Sequence, residues 1–164
     1  MRSIRLFLII IVLLPASTAF AQKNTDRGEL WICPGAETAM FTYSGMAYGG
    51  SVAFGYSRGA TVGLKASYLI DIDGLSTLEL NILFRLYFIK SMRNAGPFIQ
   101  LMGGPVFCIE EGDSLIIPAD FGTISAGLCL GWRIPLGERW FIEPSVRGGH
   151  PYLVGAGLFA GLRL

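Results

Sequence analysis

Charged residues in this chain recur on alternate positions, and that spacing limits the chemistry open to them. Glu37, Lys65, Glu79, Arg85, Arg133, Glu143, Arg147 and Arg163 all fall on the less apolar parity of a period-two pattern, with Asp71 on the same parity near one end. Both signs are present. Buried charge is costly unless it is paired and hydrogen-bonded. The pattern therefore points to a structural network of internal ion pairs. A polar path for ions is the functional alternative. The network is favoured if these positions line an interior too narrow for anything but side chains.

Other reactive residue types offer less. His150 is the single histidine and precedes Pro151. A hydrolytic constellation needs a base within hydrogen-bond reach of its nucleophile. Ser145 is close in sequence, but strand parity sends it to the face opposite His150. Cys33, Cys108 and Cys129 fit no zinc spacing. Their odd number leaves at least one unpaired even in an exported chain, and small buried thiols are the simplest reading. The run Gly155-Ala-Gly-Leu-Phe-Ala-Gly161 misses the dinucleotide fingerprint in its spacing. No catalytic residue, metal ligand or cofactor is expected. With 13 basic and 12 acidic residues the chain has no basic surplus that would suit nucleic acid.

The elements carrying these residues are β-strands. Over residues 61–88 one face reads Val62, Leu64, Ala66, Tyr68, Ile70, Leu78, Leu80, Ile82, Phe84, Leu86 and Phe88. The other face mixes small residues with charges of both signs. Period two marks a strand. Eight such segments span residues 29–41, 48–57, 61–71, 77–88, 96–108, 123–135, 140–149 and 154–164, the fifth weakened by Pro97 and Pro105. Most are long enough to cross a bilayer at a tilt, whereas strands of soluble domains are usually shorter.

A soluble barrel also alternates, but its outer face is rich in charge. Here the polar parity is too poor in charge and too rich in glycine for a water-facing exterior. Residues 155–163 offer Gly155, Gly157, Phe159, Gly161 and Arg163 on that face. A narrow interior shared by small residues and a few long charged ones requires this arrangement. The expected fold is all-β: an eight-stranded antiparallel up-and-down transmembrane β-barrel. Tyr56, Tyr68, Phe88, Trp132 and Trp140 fall on the apolar face near segment ends, where amphipathic rings suit the membrane interface.

Residues 1–21 read as a cleaved signal peptide. Arg2 and Arg5 form a basic start, residues 6–14 are an apolar run too short to span a bilayer, and Ala19-Phe20-Ala21 is a small-x-small cleavage signal. Residues 22–28 then form a short periplasmic tail, and residues 29–164 a single barrel domain. The first cysteine, Cys33, is too far from the cleavage point for lipid attachment. With the N-terminus periplasmic, the shorter connections lie on the periplasmic side. The longest one, residues 110–120, lies outside, as is usual for outer-membrane barrels.

The export signal, the eight alternating segments and the terminal strand Val154-Gly-Ala-Gly-Leu-Phe-Ala-Gly-Leu-Arg-Leu164 together resemble the small eight-stranded bacterial outer-membrane barrels. These include the outer-membrane protein A transmembrane domain and the W-type and X-type barrels. The family usually ends in an aromatic residue, and Leu164 departs from that. The resemblance implies a bacterial outer-membrane location, membrane lipid as a partner, and recognition of the last strand by the barrel-assembly machinery. It also implies outer loops that meet an extracellular or envelope partner.

A structural or interaction barrel is the expected function. The alternative is a conduit for small solutes or small apolar molecules, as in the W-type barrels. A lipid-modifying enzyme of the outer membrane is the remote alternative.

Overall fold

In the computed structural model, residues 28–41, 45–72, 76–89, 94–109 and 124–164 are described. The leader 1–21, the tail except Gly28, and the connection 110–120 lie outside them. Eight strands follow one another: β1 (Glu29–Phe41), β2 (Gly45–Arg58), β3 (Ala60–Asp71), β4 (Ser76–Tyr87), β5 (Gly96–Ile109), β6 (Ile124–Leu136), β7 (Trp140–His150) and β8 (Tyr152–Arg163). Each pairs antiparallel with its sequence neighbour. β8 returns to β1 from Trp31↔Arg163 to Phe41↔Tyr152, which closes the barrel and leaves no strand edge.

Strand ends shift from the sequence expectation where pairing continues past a turn signal. β2 starts at Gly45 because Ala47, Met46 and Gly45 remain in register with Ala39, Met40 and Phe41. Arg58 pairs with Ala60, so Gly59 alone reverses the chain at φ +80°, a conformation that costs glycine no steric penalty. β8 begins two residues early because a register shift at Met40/Phe41 brings Tyr152 opposite Phe41.

The two parities segregate completely along β3 and β4. Lys65, Ser67, Leu69 and Asp71 are buried, as are Thr77, Glu79, Asn81, Leu83 and Arg85. Leu64 (62% exposed) and Ile82 (65%) lie on the outer surface with Leu80, Leu128 and Leu130. This is a barrel that is apolar outside and polar inside, the inverse of a water-soluble one. Tyr56, Tyr68, Phe88, Trp132 and Trp140 are all on that outer surface.

Glycine has a specific job in the lumen. Trp31 lies opposite Gly55, Phe98 opposite Gly131, Phe141 opposite Gly161, and Phe159 opposite Gly35. A Cβ on Gly161 would sit 2.0 Å from Phe141, and one on Gly131 would sit 2.4 Å from Phe98. Each large ring is thus laid across a neighbouring strand at the one residue that leaves room for it. The narrow interior holds four rings this way without widening the barrel.

Candidate functional site

The charged residues on the polar parity meet inside the barrel and form two clusters. The first lies toward the end that holds the chain termini. β6 and β7 are joined through Gly137, Glu138 and Arg139, and the pairs Leu136↔Trp140, Pro135↔Phe141 and Ile134↔Ile142 place Arg133 level with Glu143. Arg133 Nε donates to Glu143 Oε1. The same oxygen accepts from Arg85 Nη1, 2.7 Å away across the lumen on β4. Arg85 also donates from Nε and Nη2 to Gln100 Oε1 at 3.0 and 2.8 Å, and from Nη1 to the Tyr87 hydroxyl at 3.2 Å.

Aromatic rings enclose this cluster. The Arg85 guanidinium lies 3.9 Å from the centre of Phe98, and that of Arg133 lies 3.9 Å from the centre of Phe141. Trp31 stands between the two guanidinium groups, 5.1 Å from Arg85 and 4.6 Å from Arg133. Its indole N–H donates to Ser57 Oγ at 3.0 Å, which holds the ring in place. Cations over ring faces are favoured electrostatically, more so where water is absent. Nearer the rim, Glu29 Oε1 lies 3.7 Å from Arg133 Nη1 and 3.3 Å from Arg163 Nε. Arg163 Nη1 also donates to the Glu138 carbonyl at 3.2 Å, so it ties the β6–β7 turn to β8.

The second cluster lies toward the opposite end. Lys65 Nζ donates to Glu37 Oε1. Arg147 Nη1 donates to Glu79 Oε2 at 2.9 Å, and its Nη2 lies 3.9 Å from Glu37 Oε2. Asn81 Nδ2 is 3.5 Å from Glu79 Oε2, and Ser125 Oγ donates to Asn81 Oδ1 at 2.6 Å. The Arg147 guanidinium lies 4.2 Å from the Tyr152 ring, which packs on Phe41 at 4.5 Å between centres. Phe41 and Tyr152 form an apolar group with Ala39, Ala47 and Leu69 at that end of the lumen.

Between the clusters is an apolar waist that includes Cys33, Ala53, Leu83, Met102, Cys129 and Phe159. A cavity of about 20 Å³ there is bordered by Lys65 on one side and by Arg85 and Glu143 on the other. A second, of about 10 Å³, adjoins Glu79, Asn81 and Arg147. Each has room for about one water molecule. The arrangement can lock strands together. Neither of these two cavities has room for a solute larger than water.

Every charged residue named from the sequence lies in the lumen or at its rim: Glu37, Lys65, Glu79 and Arg147 in one cluster, Arg85, Arg133 and Glu143 in the other, Arg163 at the rim, and Asp71 buried at the far end of β3. Parity also covers Trp31 and Glu29, two and four residues before Cys33, although neither stands out as a network residue in the sequence. Gln100 is not apparent from the sequence, and Tyr87 falls on the polar face without being marked as a network residue. Tyr87 shares the parity of Arg85, whereas Pro97 and Pro105 hide the pattern around Gln100. The three cysteines are free and buried. His150 is exposed, while Ser145 borders the waist cavity, so the two are not brought together.

No family model matches the chain, and no curated protein matches it. Solved structures do. The chain is similar to the N-terminal β-barrel domain of Pseudomonas aeruginosa OprF, at 16% identity and a TM-score of 0.50, over 84% of this chain and all of that one. It is similar to a de novo designed transmembrane β-barrel at 10% identity and a TM-score of 0.50, over 87% of this chain and all of the designed one. At these identities the likeness is one of architecture. The chain has the fold of the transmembrane β-barrels, closed by eight antiparallel strands.

Proposed function

We propose that this protein is an integral barrel of a bacterial outer membrane whose lumen is plugged by its own side chains. Its role is then structural or one of interaction, with neither catalysis nor solute passage. The charged lumen residues Glu37, Lys65, Glu79, Arg85, Arg133, Glu143, Arg147 and Arg163 hold the wall together in this reading. The observation that carries it is the Glu143 carboxylate, shared by Arg85 and Arg133 and flanked by Trp31, Phe98 and Phe141. These side chains occupy the cross-section of a barrel whose interior is only wide enough for side chains. The export leader and the fold support the location. Recognition of β8 by the assembly machinery, and of the outer connections by an envelope or extracellular partner, belong to the same proposal.

The test is planar-bilayer conductance of the folded protein. A plugged barrel gives no steady open level. Stable conductance steps, carried by the protein with Arg85, Arg133 and Glu143 intact, would replace this reading with that of a small-solute conduit.

A further inference from the structure

The sequences of the connections at the two ends of the barrel differ in charge. At the end with the β1–β2, β3–β4, β5–β6 and β7–β8 connections, the connecting sequence contains Asp73, Glu110, Glu111, Asp113 and Asp120 and has no Lys or Arg. At the end with the termini, each turn brings a basic residue. Arg58 stands at the β2–β3 turn, Arg139 at the β6–β7 turn, and the sequence joining β4 to β5 includes Lys90 and Arg93. Arg58 and Arg139 are exposed. Arg163 is spent on Glu29 and the Glu138 carbonyl. The Glu138 side chain is exposed beside Arg139 and offsets part of its charge.

A ring of outward aromatics lies immediately inside this basic end. Trp140 directly follows Arg139 and is 57% exposed, and Trp132 on the paired strand is 48% exposed. Tyr56, two residues before Arg58, is 45% exposed. Indole and phenol rings settle where hydrocarbon meets headgroups. Basic side chains one step beyond them therefore stand among the headgroups. An anionic headgroup there is attracted.

From this we infer that the basic end docks on anionic phospholipid, with Arg58 and Arg139 drawing negatively charged headgroups to positions beside Tyr56, Trp132 and Trp140. The inference rests on the membrane reading above. It adds a preferred lipid charge and a direction of insertion, with the terminal end against the anionic leaflet.

The tryptophans make the test direct. Trp31 is wholly buried in the lumen, so it gives a lipid-independent background. The protein is folded into phosphatidylcholine vesicles in which a fixed fraction of lipid is brominated phosphatidylcholine or brominated phosphatidylglycerol. Quenching of Trp132 and Trp140 then yields the relative affinity of the adjoining sites for the two lipids. One basic side chain at a charged surface is worth about a fivefold preference. Glu138 lowers this, so a preference of about twofold to fivefold for the anionic lipid is expected, shrinking toward one at high salt. Arg139→Gln should lower it and Glu138→Gln should enlarge it. Arg58→Gln, on the opposite side of the barrel, should leave it unchanged.

A ratio of one in the unmodified protein overturns the inference. So does a ratio unmoved by Arg139→Gln, or lowered as much by Arg58→Gln. Absence of quenching by either brominated lipid would instead count against the membrane reading itself.

Discussion

Arg85 and Arg133 meet on one oxygen, Glu143 Oε1, although they come from β4 and β6 and are 48 residues apart in the chain. Arg133 reaches it from the adjacent strand and Arg85 from across the lumen. One carboxylate thus joins three strands, two of which are not neighbours in the sheet. The geometry makes the three residues unequal. Without Glu143, two buried guanidinium groups lose the carboxylate they share. Without Arg133, the carboxylate still has Arg85.

The first prediction follows from that inequality. Glu143→Leu should destabilise by about 3–5 kcal/mol, the usual cost of stranding buried charge. Arg133→Leu should cost less, roughly 1–3 kcal/mol. The double variant should cost clearly less than the sum of the two, because residues in one network couple. Urea unfolding in detergent micelles measures all three. Additive losses, or a larger loss for Arg133→Leu than for Glu143→Leu, would contradict the shared-carboxylate arrangement.

A second prediction concerns the glycines beneath the lumen rings. Gly161→Val must push Phe141 away from the strand, and with it Arg133, whose guanidinium lies over that ring. Overpacking of this kind typically costs about 1–3 kcal/mol. Near-ultraviolet circular dichroism should change at the same time, since Trp31 and Phe141 are in edge contact at 6.3 Å. Unchanged stability and an unchanged aromatic spectrum would mean that the ring is free to move elsewhere.

The outer face supplies a third. Leu80 lies midway along β4 on the outer surface. Leu80→Arg should destabilise the vesicle-folded protein by about 2–4 kcal/mol, whereas Leu136→Arg, at the end of β6, should cost about 0–1 kcal/mol. Equal effects at the two sites in reversible urea titrations would argue against a bilayer centred on the middle of the strands.

Much of this arrangement is legible in the sequence because a strand exposes its parity directly. Residues 61–71 and 77–88 alternate regularly, so both the lumen-facing Lys65, Glu79 and Arg85 and the outward Leu64, Leu80 and Ile82 can be read off. The turn at Gly137-Glu138-Arg139 sets the register of β6 on β7, and with it the opposition of Arg133 and Glu143. Contacts across the lumen are different. Arg85 with Glu143 and Arg147 with Glu79 link strands that share no ladder. Which charges meet there depends on closure and on the stagger of the strands around the barrel, and no local pattern encodes either. The early start of β8 was hidden for a similar reason: it depends on the register shift at Met40/Phe41, a property of two strands together.

A fourth prediction uses the native thiols. Cys33 and Cys129 face the waist between the two clusters and are buried. In the folded protein they should resist a bulky maleimide for hours and react within minutes in urea. Rapid modification of either in the folded state would mean that the lumen admits molecules far larger than water.

The central claim is that one parity of these strands meets lipid and the other is sealed inside. The most direct measurement is spin-label accessibility along β4 in a cysteine-free protein folded into vesicles, one label at a time at positions 78 to 84. Labels at Leu78, Leu80, Ile82 and Phe84 should collide readily with oxygen dissolved in the bilayer. Those at Glu79, Asn81 and Leu83 should collide little with oxygen and little with a water-soluble nickel complex. Loss of the period-two alternation, or high nickel accessibility at 80 and 82, would contradict the account.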